Sequence, residues 1–261
     1  MARLELFEAP EISESELRLW GRVLCVAPHP DDESLGCGGT LARLCSLEQS
    51  VGVAWVSNGA GSHPNSTVYA APKLAQLREQ EARVAAAQLG ISNEALFFMG
   101  LPDGALPFPD EDQFTRAVTL ALGILDRFDP TTVLLPWRRD PHHDHRATWA
   151  IWATAMQVHN WRTMRSFEYL VWAFERAAQN EWPDTSEANA LRVSIRGFER
   201  TKRAAIDAHA SQTTHLIDDD PNGFWLSPEV IAHFETPHEA FIAPFDLRPD
   251  QAETQSPAFE R

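Results

Sequence analysis

Residues 23–33 read Val-Leu-Cys-Val-Ala-Pro-His-Pro-Asp-Asp-Glu, an apolar run that ends in one histidine and three carboxylates. The continuous apolar run is typical of a strand that is buried on both faces of a sheet. Similar short runs recur at Val51–Val56, Ala95–Met99 and Thr132–Leu135. Helical patterns separate these runs, at Gly38–Leu47, Leu74–Leu89 and Phe114–Phe128. Strand and helix therefore alternate, which predicts a parallel sheet with right-handed crossovers.

The rest of the chain has a less regular pattern. Two helices are predicted at His145–His159 and Phe198–His209, and two strands at Phe167–Phe174 and Leu191–Ile195. Clusters of Pro, Asp, Asn and Gly predict loops at 183–187 and 218–223, and the last dozen residues have the composition of a polar tail. We expect one α/β domain over residues 1–261, a Rossmann-like three-layer sandwich with a mainly parallel sheet.

The composition is that of an ordinary globular protein, with 44% hydrophobic and 23% charged residues. The net charge of -15 disfavours nucleic acid and anionic membrane surfaces as partners. No apolar run approaches the ~18 residues of a membrane span, and the acidic amino terminus does not resemble a signal peptide. We therefore expect a cytoplasmic protein that acts on a small molecule, and a homo-oligomer stays an open alternative.

Several residues are assigned to structure rather than function. The three cysteines are an odd number without Cys-x-x-Cys spacing, which predicts neutral free thiols at Cys25, Cys37 and Cys45. One helical face carries three large apolar residues and predicts core packing for Trp149, Trp152 and Met156. The histidines without partners in sequence are interpreted as structural or exposed: His63, His159, His215, His233 and His238.

The first candidate site is the polar end of the opening stretch, residues 28–33. Ligands of parallel sheets bind beyond the carboxyl ends of the strands, where this segment lies. Carboxylates this close repel each other unless solvent, hydrogen-bond donors or a cation offset the charge. The two prolines restrict the backbone around His29, so His29 and a following carboxylate could converge on one ion. An acidic turn that caps a helix explains the same residues, and this segment alone does not decide between the two.

A second cluster at residues 140–145, Asp-Pro-His-His-Asp-His, favours the metal site over the capping turn. It follows the apolar run Thr132–Trp137, so a parallel sheet brings it to the same edge as the first cluster. Two loops rich in His and Asp then face each other. A donor set of histidine and carboxylate without cysteine, with one position open, is typical of catalytic zinc.

These segments resemble the signatures of the LmbE-like or PIG-L family of zinc-dependent N-acetylglucosamine deacetylases. The family has His-Pro-Asp-Asp-Glu after its first strand, matched by residues 29–33, and His-x-Asp-His, matched by residues 142–145. Supporting similarities lie at 35–40, 78–81, 89–90, 100–104, Lys202 and 209–212. The resemblance spans roughly residues 23–212.

The resemblance implies a role for each matching residue. It makes His29, Asp32 and His145 the ligands of Zn²⁺, for which other divalent ions can substitute. It makes Asp31 the general base and places His142 at the oxyanion, with Asp144 fixing the His142 ring. It assigns substrate contacts to Arg78, Asp103 and His209.

Ordinary structural explanations compete for the three substrate residues. Arg78 could pair with Glu79 or Glu81 on a helix surface. Asp103 lies in a Pro-Asp-Gly sequence that favours a turn. His209 could simply end a helix.

The expected activity is that of an amide hydrolase that removes an N-acetyl or related N-acyl group from an N-acetylglucosamine-type sugar or its conjugate. The expected bond is a linear amide other than a peptide bond. One alternative is a metal-dependent phosphoesterase, but two-metal sites need a bridging carboxylate and more ligands than these loops supply. The other is a catalytically silent carbohydrate-binding protein, which would have no need of Asp31 as a base.

Overall fold

Seven strands form one sheet in the computed structural model, which describes residues 3–159, 164–176, 178 and 181–244. The strands are β1 (Val23–Ala27), β2 (Val51–Ser57), β3 (Leu96–Leu101), β4 (Thr132–Pro136), β5 (Arg165–Tyr169), β6 (Ala188–Ser194) and β7 (His238–Pro244). Their order across the sheet is β3-β2-β1-β4-β5-β7-β6. The first five are parallel, and β7 pairs antiparallel with both β5 and β6.

The position of β1 in this sheet determines where a ligand can bind. The chain runs outward from β1 through β2 to β3, then returns to place β4 on the other side of β1. Such a reversal of strand order opens a crevice beyond the carboxyl ends of the two strands. All residues of β1, β2 and β4 are buried, as their continuous apolar runs predict. The predicted Rossmann-like fold with a mainly parallel sheet is confirmed.

Helices cover both faces of the sheet and complete three layers. They are α1 (Glu14–Arg18), α2 (Asp32–Ser46), α3 (Ala71–Gln88), α4 (Phe114–Phe128), α5 (His143–Val158), α6 (Ala173–Arg176), α7 (Glu199–Ala208), α8 (Ala210–Thr213) and α9 (Pro228–Ala232). One apolar cluster joins one face of β1 to α2, α3 and α7, and a second joins the opposite face to α4 and α5. Among the described residues, no helix combines the length and the apolar character that a membrane crossing requires.

Helix α2 begins at Asp32, six residues before the predicted start at Gly38. Its first turn carries Asp32 and Glu33, whose charges interact favourably with the helix dipole. The glycines of α2 are poor helix formers, but close packing requires them. A Cβ at Gly36 would lie 2.3 Å from Tyr169 Cδ2 of β5. Tertiary packing therefore overrides local helix propensity here.

The carboxyl-terminal half departs further from the prediction. The strand predicted to reach Phe174 ends at Tyr169, and the short helix α6 begins four residues later at Ala173. Strand β7 was not predicted, and it inserts between β5 and β6. The helix predicted at Phe198–His209 is confirmed as α7. The predicted polar tail lies outside the described residues.

The residues assigned to structure behave as predicted. Trp149, Trp152 and Met156 are fully buried in the apolar cluster under α4 and α5. The three cysteines are free, and burial raises the pKa of the Cys45 thiol to about 11. Burial likewise raises the pKa of Cys25 and Cys37, so all three thiols are neutral.

Candidate active site

The two polar clusters meet beyond the carboxyl ends of the neighbouring strands β1 and β4. They border one cavity of about 280 Å³. Six of the predicted site residues line it: His29, Asp31, Asp32, Arg78, Asp103 and His142. The expectation that two loops would face each other across the switch point therefore agrees with the structure.

The three predicted metal ligands converge on one point. Asp32 Oδ2 lies 3.1 Å from His29 Nδ1 and 3.2 Å from His145 Nε2. A tetrahedral zinc ion with ligands at 2.0–2.1 Å separates its ligand atoms by roughly 3.3 Å. Neither ring nitrogen of the fully buried His145 has a hydrogen-bond partner among the described residues. The spacing and the unpaired nitrogens fit a bound cation.

The charges around these three residues favour a divalent cation. Burial lowers the pKa of His145, but Asp32 outweighs this effect and raises it to about 9. Burial also lowers the pKa of His29, yet contacts with carboxylates bring it well above its ordinary value. Burial raises the pKa of Asp32, but His145 and His29 bring it well below. The carboxylates around the two rings therefore favour positive charge at this point, and binding of a divalent ion would release any proton that the ligand nitrogens carry.

A second layer of carboxylates faces the outer nitrogens of the two histidines. His29 Nε2 lies 3.2 Å from both Asp144 Oδ2 and Asp103 Oδ1. His145 Nδ1 lies 3.6 Å from Asp140 Oδ1. Histidine ligands of metals usually donate their other N–H to such a group, which fixes the ring orientation. Asp140 was not predicted as a site residue, although it begins the second cluster.

Asp31 has a backbone conformation that residues with a Cβ rarely adopt. Its φ is 135°, and its amide donates to Glu33 Oε2 at 3.1 Å. Arg78 Nη2 donates to Asp31 Oδ2 at 3.0 Å and to the carbonyl of Pro30 at 2.6 Å. Burial raises the pKa of Asp31 to about 7, although Arg78 opposes this shift. Such strain is concentrated at functional sites, and a pKa near neutrality suits a general base.

Glu33 lies behind Asp31 and anchors it. Its buried carboxylate accepts hydrogen bonds from Trp55 Nε1 at 2.8 Å and Ser34 Oγ at 2.7 Å, and lies 3.0 Å from His209 Nε2. Burial raises the pKa of Glu33, but His209 lowers it below its ordinary value. Glu33 was quoted in the first cluster without a separate role, and its buried partners explain its presence there.

His209 was predicted to contact substrate, and the structure places it elsewhere. It is fully buried, and the described wall of the cavity does not include it. Its Nε2 contacts Glu33, which in turn holds the amide of Asp31. The physical reason is that α7 ends behind α2 rather than at the cavity. His209 therefore acts on the site through its contact with Glu33 and through its charge, which lowers the pKa of Asp31.

His142 is the amino-terminal cap of α5, and its ring faces the two predicted histidine ligands. Its ring centroid lies 4.8 Å from that of His29 and 5.1 Å from that of His145. Its Nδ1 accepts a hydrogen bond from the amide of Asp144 at 3.2 Å. Burial lowers the pKa of His142 to about 4, so the ring is neutral and carries its proton on Nε2. This leaves one N–H available to a ligand.

The expected contact between Asp144 and the His142 ring is made by different atoms. The backbone amide of Asp144 holds the ring, while its carboxylate accepts from the amides of Gly104 at 2.7 Å and Leu106 at 3.3 Å. The carboxylate also lies beside His29. Asp144 therefore positions two histidines, one through each part of the residue.

Arg78 is buried, so the surface pairing considered for it is wrong. Its Nη1 donates to the carbonyl of Gly59 at 2.9 Å. Glu79 pairs instead with Arg83, and Glu81 accepts from the amide of Ser211. Gly59 has φ +68°, and a Cβ there would lie 2.8 Å from Arg78 Nε. The glycine loop after β2 therefore leaves room for the arginine.

Two aromatic residues complete the cavity wall and were not predicted. Trp172 follows β5 and Phe224 precedes α9, with 5.6 Å between their ring centroids. They lie far apart in sequence and carry no local pattern that connects them. Asp103 also lines the cavity, where its Oδ2 accepts from the amide of Gly61 at 2.7 Å.

This combination defines a class: Rossmann-like α/β proteins with a buried histidine and carboxylate site at the switch point. Within that class, the chain belongs to the PIG-L family. The model of that family, described as GlcNAc-PI de-N-acetylase, matches residues 24–156, about half of the chain. The resemblance drawn from the two motifs is thus confirmed.

The chain is similar to deacetylases of amino sugars. It is 28% identical over 258 residues to a 1D-myo-inositol 2-acetamido-2-deoxy-alpha-D-glucopyranoside deacetylase from Mycobacterium sp. (strain JLS), covering 83% of this chain and 79% of the relative. The N,N'-diacetylchitobiose deacetylase from Pyrococcus horikoshii has the same fold, with a TM-score of 0.65 and 22% identity over 88% of this chain and 86% of that chain.

A protein that catalyses a different reaction has the same fold. A 4-carboxy-2-hydroxymuconate hydratase from Pseudomonas putida superimposes with a TM-score of 0.60 and 20% identity, covering 91% of this chain and all of that one. Fold alone therefore does not select the reaction, and the side chains of the site must do so.

Proposed function

We propose that this chain is a zinc-dependent N-deacetylase that removes an acetyl or related N-acyl group from an N-acetylglucosamine-type sugar or its conjugate. The observation that carries the proposal is the close approach of two cavity-lining residues, His29 and Asp32, to the buried His145, with Asp31 and His142 beside them. The amino-sugar deacetylases among the relatives support the substrate class.

The metal would be held by His29 Nδ1, Asp32 Oδ2 and His145 Nε2. Bound zinc supplies a Lewis acid that activates water and polarises a carbonyl group near neutral pH. Two further sets of donor atoms lie within 4.8 Å of one another, His29 with His142 and His145, and His29 with Asp103 and Asp144, but both share His29 with the proposed site. A neutral imidazole binds a metal through one nitrogen and donates from the other, which favours one ion and disfavours a two-metal phosphoesterase.

Asp31 would move the proton in this reaction. Its carboxylate accepts a proton from the attacking water as the new carbon–oxygen bond forms. It then gives that proton to the amide nitrogen as the carbon–nitrogen bond breaks, which yields a free amine and a carboxylate. A pKa near 7 allows both transfers at neutral pH. Arg78 holds the carboxylate in place for them.

His142 would stabilise the charge that develops on the carbonyl oxygen. Its Nε2–H is the donor left available once the amide of Asp144 has bound Nδ1. Because the ring is held at a helix terminus and its pKa is low, this donor needs no reorganisation during the reaction. Arg78 and Asp103 line the same cavity and would offer polar contacts to the sugar.

The conformation of Asp31 weighs against a silent carbohydrate-binding protein. A backbone in such a region costs about 1–3 kcal/mol, which the contacts of Glu33 and Arg78 must offset. A protein that only binds sugar gains nothing from keeping a buried carboxyl group in this state.

Metal analysis combined with acetate release from a panel of N-acetylated sugars and conjugates tests the proposal. We expect about one divalent ion per chain, and activity that a chelator removes and zinc restores. Purified protein that lacks a metal and does not respond to added zinc would refute it. Protein that binds zinc without releasing acetate from any N-acetyl sugar would refute the proposed substrate class.

A further inference from the structure

Two aromatic rings form a continuous apolar side of the catalytic cavity. The ring of His142 lies beside that of Trp172, with 6.5 Å between centroids. Trp172 meets Phe224 edge to face, with 5.6 Å between centroids. The apolar side therefore begins next to the residue proposed to bind the carbonyl oxygen.

The opposite side of the cavity is polar. The amide of Phe224 donates to the carbonyl of Ser62 at 2.7 Å, which connects the aromatic side to the loop after β2. From there Gly61 contacts Asp103, and the neighbouring Gly104 contacts the Asp144 carboxylate. The cavity is thus enclosed by a ring of contacts that is apolar on one side and rich in carboxylates and amides on the other.

An N-acyl sugar also has one polar part and one apolar part. Its sugar carries hydroxyl groups, which lose stability when buried without hydrogen-bond partners. Its acyl group is apolar and is attached directly to the carbonyl carbon. With the carbonyl oxygen at His142, the sugar is directed to the side of Asp103 and the acyl group to the side of Trp172.

We infer that Trp172 and Phe224 form the wall that receives the acyl group and limits it to a short one. The inference rests on the proposed deacetylase function and adds the acyl specificity of the substrate. It concerns two residues outside the matched segment 24–156 of the family.

The wall is anchored, which is why it limits size. Trp172 is buried, and its amide donates to Asp140 Oδ2 at 3.2 Å, the carboxylate that also faces His145. The backbone that carries the buried indole is therefore tied to the carboxylate that faces the predicted ligand His145. A longer acyl chain would have to displace an anchored, buried indole.

Phe224 is anchored by two loops that bind each other. Asp219 accepts hydrogen bonds from the amides of Thr67 at 2.7 Å and Val68 at 3.0 Å. Asp220 accepts from the amide of Asn65 at 2.9 Å. These bonds tie the segment that carries Phe224 to the loop that carries the polar side of the cavity.

Acyl-length preference in wall variants tests the inference. The variants are Trp172→Ala and Phe224→Ala, and the matched control is Trp225→Ala, an exposed neighbour that packs on His215. The substrates are N-acetyl-, N-butanoyl- and N-hexanoyl-D-glucosamine, with kcat/KM measured by release of the free amine from the zinc-loaded enzyme.

The wild type should lose kcat/KM as the acyl chain lengthens. Burial of one methylene is worth roughly fourfold, so either wall variant should raise the hexanoyl-to-acetyl ratio by about tenfold or more. Trp225→Ala should leave the ratio unchanged. A wild type that accepts hexanoyl and acetyl equally would overturn the inference. So would a uniform loss over all three substrates, because aromatic contact with the sugar gives that result.

Binding of the carboxylate products separates failure of this inference from failure of the proposed function. Acetate, butanoate and hexanoate are titrated calorimetrically into the zinc-loaded protein, without any sugar. The wild type should prefer acetate, and Phe224→Ala should shift the preference toward hexanoate even if no glucosamine derivative is cleaved. An unchanged preference overturns the acyl wall. If Trp172→Ala does not fold, the half-buried Phe224 carries the test alone.

Discussion

Asp31→Asn separates a hydrolase from a protein that only binds metal. The substitution keeps the shape of the side chain and removes its basicity. An asparagine oxygen can still accept the 3.0 Å hydrogen bond from Arg78 Nη2, so the fold and the metal should be retained. Loss of a positioned general base lowers kcat by about 10²- to 10⁴-fold, which corresponds to about 2.7–5.4 kcal/mol in the barrier.

The same variant should change how stability depends on pH in the metal-free protein. Burial raises the pKa of Asp31 from its ordinary value of 3.8 to about 7. The folded state then keeps this proton at a pH where the unfolded state has lost it. The contribution of Asp31 to stability therefore falls as pH rises from about 4 to about 7, and Asn lacks this dependence. We therefore expect the free energy of unfolding of Asp31→Asn to rise relative to that of the wild type as pH increases from 5 to 8. Urea unfolding with a chelator present measures this difference.

The neighbouring Asp32→Asn is the matched control, because the two residues have identical chemistry. Asp32→Asn should lose zinc and activity together, since Asp32 Oδ2 joins the two histidine ligands. Zinc content by mass spectrometry, kcat with an N-acetyl sugar and the thermal midpoint are measured on both variants. An Asp31→Asn protein with full zinc and near wild-type kcat refutes the assigned base. Loss of zinc from this variant would instead make Asp31 a ligand.

Three further variants test the residues around this centre. His142→Ala should keep zinc and lower kcat by about 10²- to 10³-fold, as removal of an oxyanion donor does; loss of zinc would identify His142 as a ligand. Asp140→Asn should weaken zinc affinity by about 10- to 100-fold in a chelator competition, and unchanged affinity would contradict its supporting role. Gly59→Ala should displace Arg78 and lower both kcat and the thermal midpoint, because φ is +68° and the new Cβ meets the guanidinium. Gly123→Ala is the matched control, because no atom lies within 4 Å of a Cβ at that position. Alanine there should stabilise the helix by about 1 kcal/mol. Equal effects of the two glycine variants would argue against a specific role for Gly59.

Much of the fold could be predicted because its signals are local. Each central strand is a short apolar run, and parallel pairing then places the polar residues after β1 and β4 at one edge. The predicted ligands His29 and Asp32 follow β1 directly, and His145 lies in the first turn of α5 after β4, so the topology brings them to one edge. The contacts His29–Asp32 and His145–Asp32 agree with that expectation.

The unpredicted parts depend on distant packing. The early start of α2 requires glycines that accept Tyr169 from β5, a contact with no local signature. The antiparallel β7 inserts beside β5 after a long excursion of the chain. Trp172 and Phe224 meet only because separate loops are tied together. The sequence around His209 resembles that of a site residue. Its position behind Glu33 depends on how α7 packs, which the local sequence does not indicate.

Three consecutive carboxylates in one turn have three different sets of partners because of the backbone at Asp31. A regular helical turn from residue 31 to 33 would keep these like charges close together on neighbouring positions. With φ at 135°, the chain directs Asp31 toward Arg78, Asp32 toward the two histidines and Glu33 toward Trp55 and the interior. Each charge therefore meets its own cationic or donor partners, and the mutual repulsion of the three is offset separately. The strained residue is thus the one that allows the proposed base, the proposed ligand and the buried Glu33 to occupy adjacent positions, which is a physical reason for a non-glycine residue in this conformation.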